Sequence, residues 1–281
     1  IMPGLRSIVV VGMNYYPGDF PSAAGCRGRV SRYAWGHDYH DVMMKGLQQL
    51  VDWVAARVGR PVTHRAYVDF GPLLERELAQ RSGLGWFGKN TNLIHPDLGS
   101  YFFLGELLLD LDLEPDAPFV DACCGTCSAC LDACPTGALV APGILDAGRC
   151  ISYLTIEHHD AIPEELRPLM GDWVFGCDVC QAVCPWNKRF SLSSRASNLE
   201  AERPTLDLIE LLTLDEGAFR ARFRHTPLWR PRREGLLRNA AVVLGNLGSP
   251  AAIPVLERAC LDEGPMIAEH ASWGLERIRA G

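Results

Sequence analysis

The residues able to do chemistry are two runs of cysteine that each end in Cys-Pro. One is Cys124, Cys127, Cys130 and Cys134 before Pro135; the other is Cys177, Cys180 and Cys184 before Pro185, with Cys150 between them. The spacing C-x2-C-x2-C-x3-C-P is that of bacterial ferredoxins, in which three cysteines hold one [4Fe–4S] cubane and the fourth reaches across to a second. Two cubanes need eight thiolates; the runs supply seven and Cys150 the eighth, of eleven cysteines in all. A zinc site built from paired CxxC units is the alternative, but it leaves the third evenly spaced cysteine and both Cys-Pro endings without a purpose. Cys123 adjoins Cys124, and even spacing favours Cys124 as the ligand. Cys26 and Cys260 have no ligand-like neighbours and read as small buried hydrophobes. The chemistry indicated is one-electron transfer.

Composition bounds what carries those cysteines. At 281 residues, 48% hydrophobic and 22% charged, the chain is long enough for two or three packed domains and too apolar for disorder. No apolar run reaches the length of a bilayer span; the longest, Tyr101 to Leu113, is broken by Glu106 and Asp110. Ile1-Met2-Pro3-Gly4 is not a signal peptide, and a chain entering its first strand so soon is expected to lack native upstream sequence. Cysteines grouped at ligand spacing point to a reducing compartment, the cytoplasm. A net charge of −7 argues against a protein coated in basic residues. Between Arg220 and Arg238, however, lie Arg222, Arg224, Arg230, Arg232 and Arg233 against only Glu234. Such a run is either a solvated helix face with its arginines paired to acids or a surface for a polyanion.

Hydropathy patterning divides the chain into three segments and gives an α+β fold class. Residues 1–118 read as an α/β unit. A strand is expected from Leu5 to Gly12, a helix across His37 to Val58 with apolar residues at helical spacing, and a strand from His64 to Phe70 carrying Asp69 near its end. A short helix from Leu73 to Ser82 then stops at Gly83 and Gly85, and a glycine-punctuated loop, GLGWFGKNTNLI, enters an apolar strand. Residues 119–195 hold the cysteine runs, and the metal ligands are expected to set their fold, with no long helix before Cys150. Residues 196–281 are helical. Aligning AAVVLGNL (Ala240–Leu247) with ASWGLERI (Ala271–Ile278) pairs Ala240 with Ala271, Leu244 with Leu275 and Leu247 with Ile278. This HEAT-like pattern is too short for a free solenoid, so the segment is expected to dock on the rest of the protein.

With all these segments in view, the chain resembles the epoxyqueuosine reductases. The resemblance is carried by SRYAWGHDYHDVM (Ser31–Met43), VDFGPLLERELAQRSGLGWFGKNTNLI (Val68–Ile94), CGTCSACLDACPTGAL (Cys124–Leu139), RCISYLTIEH (Arg149–His158), FGCDVCQAVCPWN (Phe175–Asn187) and LLRNAAVVLGN (Leu236–Asn246). It covers essentially the whole chain, although members of that family generally begin further upstream. The resemblance implies a cobalamin-binding α/β domain over 1–118, a ferredoxin-like module with two [4Fe–4S] clusters over 119–195 and a HEAT-like tRNA-binding domain over 196–281. It implies two-electron reduction of the epoxide of epoxyqueuosine, at the wobble position of tRNA, to the alkene of queuosine. The partners implied are tRNA carrying epoxyqueuosine and a low-potential electron donor, with no membrane and a monomeric protein. Clusters pass electrons singly, so a carrier such as cobalamin must collect two of them.

By the same resemblance, Cys124, Cys127, Cys130 and Cys184 hold one cluster and Cys134, Cys150, Cys177 and Cys180 the other. Asp69 matches the family's acidic catalytic position, as a proton donor that a desolvating site keeps protonated; the alternative is an N-cap for the helix that follows. Arg32, Lys89, Asn90 and Thr91, together with Asp69, are the expected cobalamin contacts, with a surface ion pair as the alternative for Lys89. His37, His40, His95, His158 and His159 are read as structural or pocket-lining, because the family is similar to reductive dehalogenases, which bind cobalamin without a protein histidine on cobalt. Arg230, Arg232, Arg233 and Arg238 become a phosphate surface, with Trp186 and Trp229 either stacking on bases or buried in packing.

Two other function classes remain compatible with the residues. A reductive dehalogenase for small organohalides shares the cofactors but has no use for the HEAT-like segment. A non-enzymatic ferredoxin-type carrier explains the cysteines but leaves residues 1–118 without a task.

Overall fold

The computed structural model describes residues 1–21, 25–190, 199, 202–262 and 264–281, so the expected boundary at 195/196 lies outside the described residues. The strands are β1 (Ser7–Asn14), β2 (Arg27–Val30), β3 (His64–Tyr67), β4 (Trp86–Phe87), β5 (Leu93–Ile94), β6 (Phe102–Leu109), β7 (Leu139–Ala141), β8 (Ile144–Leu145), β9 (Trp173–Phe175) and β10 (Thr205–Asp207). The α-helices are α1 (Tyr39–Val58), α2 (Glu75–Arg81), α3 (Ala129–Asp132), α4 (Ile151–Ile156), α5 (Val179–Ala182), α6 (Pro185–Phe190), α7 (Leu208–Leu211), α8 (Glu216–Phe223), α9 (Arg232–Leu247), α10 (Ile253–Ala259) and α11 (Pro265–Ala280). The fold is mixed α and β. Among the described residues no helix is long and apolar enough to cross a membrane.

β6 is the centre of an antiparallel sheet, flanked by β1 and β3, so that Val10 and Tyr67 lie to either side of Glu106. Period-2 alternation gives this sheet two faces. Phe103, Leu107 and Leu109 meet Met43, Leu47 and Val51 of α1 on one face, while α2 lies on the other. α1 begins at Tyr39 because Asp38 caps it, accepting the His40 N–H at 3.0 Å. β3 ends at Tyr67, short of the expected Phe70, because Asp69 adopts φ 59°, which no strand accommodates.

A second sheet takes one strand from each of the three sequence segments: β2 pairs parallel with β9 and antiparallel with β10. Gly28 in β2 is required there, since a Cβ would stand 2.8 Å from both Leu208 and Val174. Its core continues into the C-terminal helices, where Ala240, Leu244 and Ala271 are fully buried. α9 and α11 approach so closely at Gly245 and Gly274 that a Cβ on Gly245 would lie 2.7 Å from the Gly274 Cα. The iron–sulfur segment contains only short helices, including the one after Cys150, where a longer one was expected.

Candidate active site

The cysteines line two separate cavities. Cys124, Cys127, Cys130 and Cys184 wall a space of about 110 Å³ closed by Lys89, Ile94 and Trp186. Cys134, Cys150, Cys177 and Cys180 share the wall of a larger one, about 420 Å³. Each Cys-Pro run therefore sends its last cysteine into the cavity lined mainly by the other set. Cys123 lines neither; its carbonyl accepts the Trp186 indole N–H at 3.3 Å. Among the described residues no three His, Cys, Asp or Glu side chains converge as a single metal ion would need; the sulfurs surround a space rather than a point. Burial pushes the Cys180 thiol up to about 12 and raises Cys177 as well. A positive centre beside these sulfurs is what would ionise them.

The tight β4–β5 hairpin aims GKNT between the cavities. A Cβ on Gly85 would lie 2.0 Å from the Ile94 carbonyl oxygen, and one on Gly88 2.5 Å from the Ile94 side chain. Lys89 Nζ donates to the carbonyls of Gly125 (2.7 Å) and Cys127 (2.9 Å), so it braces the first cysteine run and lines the smaller cavity, not the larger. Asn90 lines both cavities and donates to the Cys180 carbonyl at 3.4 Å. Thr91, at φ 67°, lines the larger cavity, and Arg76 donates to its carbonyl. Arg32 departs from expectation. It is buried and bound to Asp178, through its N–H at 2.9 Å and Nη1 at 3.1 Å, with the guanidinium 4.2 Å over the Phe20 ring. It fastens β2 to the cysteine segment instead of facing the larger cavity.

Asp69 stands on the loop between β3 and α2. The Tyr39 hydroxyl donates to its Oδ2 at 3.1 Å, and its own N–H donates to Glu75 Oε1 at 2.6 Å. It does not cap α2, whose N-cap position is Leu74 without a side-chain bond. The loop is seated on Tyr67, whose ring would lie 2.4 Å from a Cβ at Gly71. The expectation that its surroundings keep Asp69 protonated is reversed here: the His40 side chain holds it below the usual carboxylate range. Burial disfavours the charged form of His40, but Asp38 and Asp69 outweigh that and lift it to about 9. Charge sits on the carboxylate and the proton on the imidazole. Tyr39, stacked on Phe103 at 4.0 Å, lines the larger cavity and connects it to Asp69. From the sequence, His40 reads only as structural or pocket-lining and Tyr39 carries no role. The available signal was the Asp38 cap, which sets the first turn that carries both rings.

The arginines divide by burial. Arg238 is fully buried and donates to the carbonyls of Leu154 (2.6 Å), His158 (2.8 Å) and Asp160 (2.7 Å), so it cannot belong to a phosphate surface. Arg233 donates to Asp262 (2.7 Å) and to the Leu214 carbonyl (2.8 Å). Arg230 is exposed, pairs with Glu157 at 3.0 Å and lies 5.7 Å over Phe70 of the Asp69 loop. Arg232 is exposed, at φ 60°, over the Trp229 ring. Both tryptophans in question are packed: Trp229 stacks on Phe219 and Trp186 meets Trp86 edge-on.

Comparison with known proteins bears on this site directly. Residues 123–187 match the family model described as 4Fe-4S double cluster binding domain, and residues 1–70 match epoxyqueuosine reductase QueG, DUF1730. The epoxyqueuosine reductase of Pseudomonas aeruginosa is 47% identical, over 99% of this chain and 78% of that protein. A crystal structure of epoxyqueuosine reductase with an epoxyqueuosine-modified tRNA-Tyr stem loop superposes with a TM-score of 0.91 at 35% identity, covering 99% of this chain and 74% of that one. A structure from Bacillus subtilis, with an aspartate catalytic loop swung out of the active site, gives a TM-score of 0.89 at 35% identity with the same coverages. With 4Fe–4S double-cluster cysteines, similarity over nearly the whole of its own length and a shared fold, the chain belongs to the epoxyqueuosine reductase family.

Proposed function

We propose that this protein reduces the epoxide of epoxyqueuosine in tRNA to the alkene of queuosine. The observation that carries the reading is the meeting, at one cavity, of a wall of four cysteines with the Tyr39 hydroxyl that holds Asp69. On this reading Cys124, Cys127, Cys130 and Cys184 hold one [4Fe–4S] cluster, and Cys134, Cys150, Cys177 and Cys180 the other; the two cavities support that partition. The larger cavity fits cobalamin in its chemistry: flat aromatic walls from Tyr39 and Phe103, and a polar rim from Ser31, Asn90, Thr91 and Gln181 for amide side chains. When bound, the clusters supply single electrons and the cobalamin collects two for cleavage of the carbon–oxygen bond.

The protein's own residues handle the rest. Epoxide to alkene and water consumes two electrons and two protons. Asp69, ionised at rest, relays to the substrate oxygen a proton drawn from His40 Nε2, 3.6 Å from its Oδ2, and solvent supplies the second proton of the departing water. The relative with a swung-out aspartate loop supports a loop here that opens for the anticodon and then seats. Arg230, beside that loop, and the exposed Arg232 meet phosphates, whereas Arg233 and Arg238 brace the helices behind them. The division into a cobalamin domain (1–118), a cluster module (119–195) and a HEAT-like tRNA-binding segment (196–281) belongs to the same proposal, as does a monomer served by a low-potential donor in the cytoplasm.

The test is anaerobic incubation of the cobalamin- and cluster-loaded protein with epoxyqueuosine-containing tRNA and a low-potential reductant, followed by nucleoside mass spectrometry. Queuosine that forms only with cobalamin is the expected result. Bound cobalamin with no queuosine would redirect the reading to another reductive substrate.

A further inference from the structure

Glu106 lies in the middle of β6, fully buried, and no N–H or hydroxyl donor among the described residues reaches either of its carboxylate oxygens. An ionised carboxylate so placed is strongly disfavoured. The group facing it is another acid, Glu75, the first residue of α2. Two carboxylates at one site bond to each other only when one carries a proton. Burial first, and then the charge of Glu75, raise Glu106 to about 8, and burial raises Glu75 also. Glu75 in turn accepts the Asp69 N–H at 2.6 Å, at a residue whose φ of 59° persists only where its surroundings impose it.

We propose that Glu106 and Glu75 share one proton as a latch: the Glu106 hydroxyl donates to the Glu75 carboxylate, which grips the Asp69 N–H and seats the catalytic loop. Both are positioning residues. The anchor is firm because β6 is the central strand of its sheet. The groups facing the pair are Asp69 from the loop, Tyr67 beside it on β3 and His40 from α1, while Val10 across on β1 is apolar. The proposal depends on the reading of Asp69 given above only for its consequence in turnover.

A seated loop holds the shared proton more tightly than an open one, in which water reaches both acids. The seated population therefore falls as pH rises above the ordinary carboxylate value, by up to about tenfold per pH unit. His40 acts in the same direction but stays protonated in both states below about pH 6, and Asp69 stays ionised in both above about pH 5. That interval isolates the pair.

The experiment is hydrogen exchange by mass spectrometry on the cluster-loaded protein, following peptides across residues 66–78 between about pH 5 and pH 6, corrected for the intrinsic rate. Protection in the wild type is expected to fall roughly tenfold. Glu106→Gln always carries a donor and should be flat. Glu75→Gln, whose amide keeps an acceptor for Asp69, should retain protection at about pH 5, whereas Glu75→Ala should lose it throughout. A flat wild type, a falling course in Glu106→Gln, or wild-type protection in Glu75→Ala overturns the latch. The latch signature without queuosine formation would remove the reading of Asp69 and leave the latch; queuosine formation with a wild-type exchange course in Glu106→Gln would do the reverse.

Discussion

His40 Nε2 lies 3.6 Å from Asp69 Oδ2, an ion-pair distance longer than a hydrogen bond, and this pairing sets a positive charge beside a half-exposed loop carboxylate. Burial works against the charged form of His40, but Asp38 and then Asp69 raise it, and His40 in turn lowers Asp69. The histidine's share of stability is complete below about pH 6.5 and is lost as pH rises through about 9. The aspartate's share is present above its ordinary value near pH 4 and is lost as pH falls below it.

Asp69→Asn should retain iron and cobalamin while turnover drops by about 10² to 10⁴-fold, the usual reach of a positioned acid. In the same variant the His40 titration, followed by NMR, should move down from about 9. Full queuosine formation in this variant would sink the catalytic assignment.

Lys89→Met removes two charged hydrogen bonds to the loop that carries Cys124 and Cys127, each worth about 1.5–3 kcal/mol. The cluster in the smaller cavity should be lost or altered by EPR and iron analysis, with cobalamin absorption unchanged. Loss of cobalamin with both clusters intact would return Lys89 to the corrin.

Cys184→Ser and Cys134→Ser should damage different clusters, because the two sulfurs face different cavities. Iron analysis and EPR of each variant should show one cluster lost and the other retained, with opposite identities. Loss of the same signal in both variants would refute the crossed arrangement.

Arg230→Gln should lower the salt slope of tRNA binding by about 0.9, one phosphate's worth. Arg233→Gln should leave the slope unchanged, since its guanidinium is committed to Asp262 and the Leu214 carbonyl. Arg238→Met should cost about 3 kcal/mol or more in denaturant unfolding, because it strands buried carbonyls. A slope change confined to Arg238→Met would reverse this division.

Features determined by neighbours along the chain were legible in the sequence. The cysteine spacing is local and names its chemistry, and the apolar period of α1 together with the Asp38 cap sets that helix to within two residues of its expected start. The glycines of the GWFGKN hairpin likewise announce a close backbone approach. What depended on partners far along the chain was not legible. Arg238 looks like any member of a basic run until packing seals it against carbonyls contributed by the segment after Cys150. Lys89 and Arg32 carry charges whose destinations, Cys127 and Asp178, lie well downstream. Glu106 was visible only as an interruption in an apolar stretch. Its burial opposite Glu75, and through it the hold on Asp69, exists because β6 lies at the centre of its sheet with α2 across one face. Burial and long-range approach set the protonation of an acid, and no window of sequence contains either.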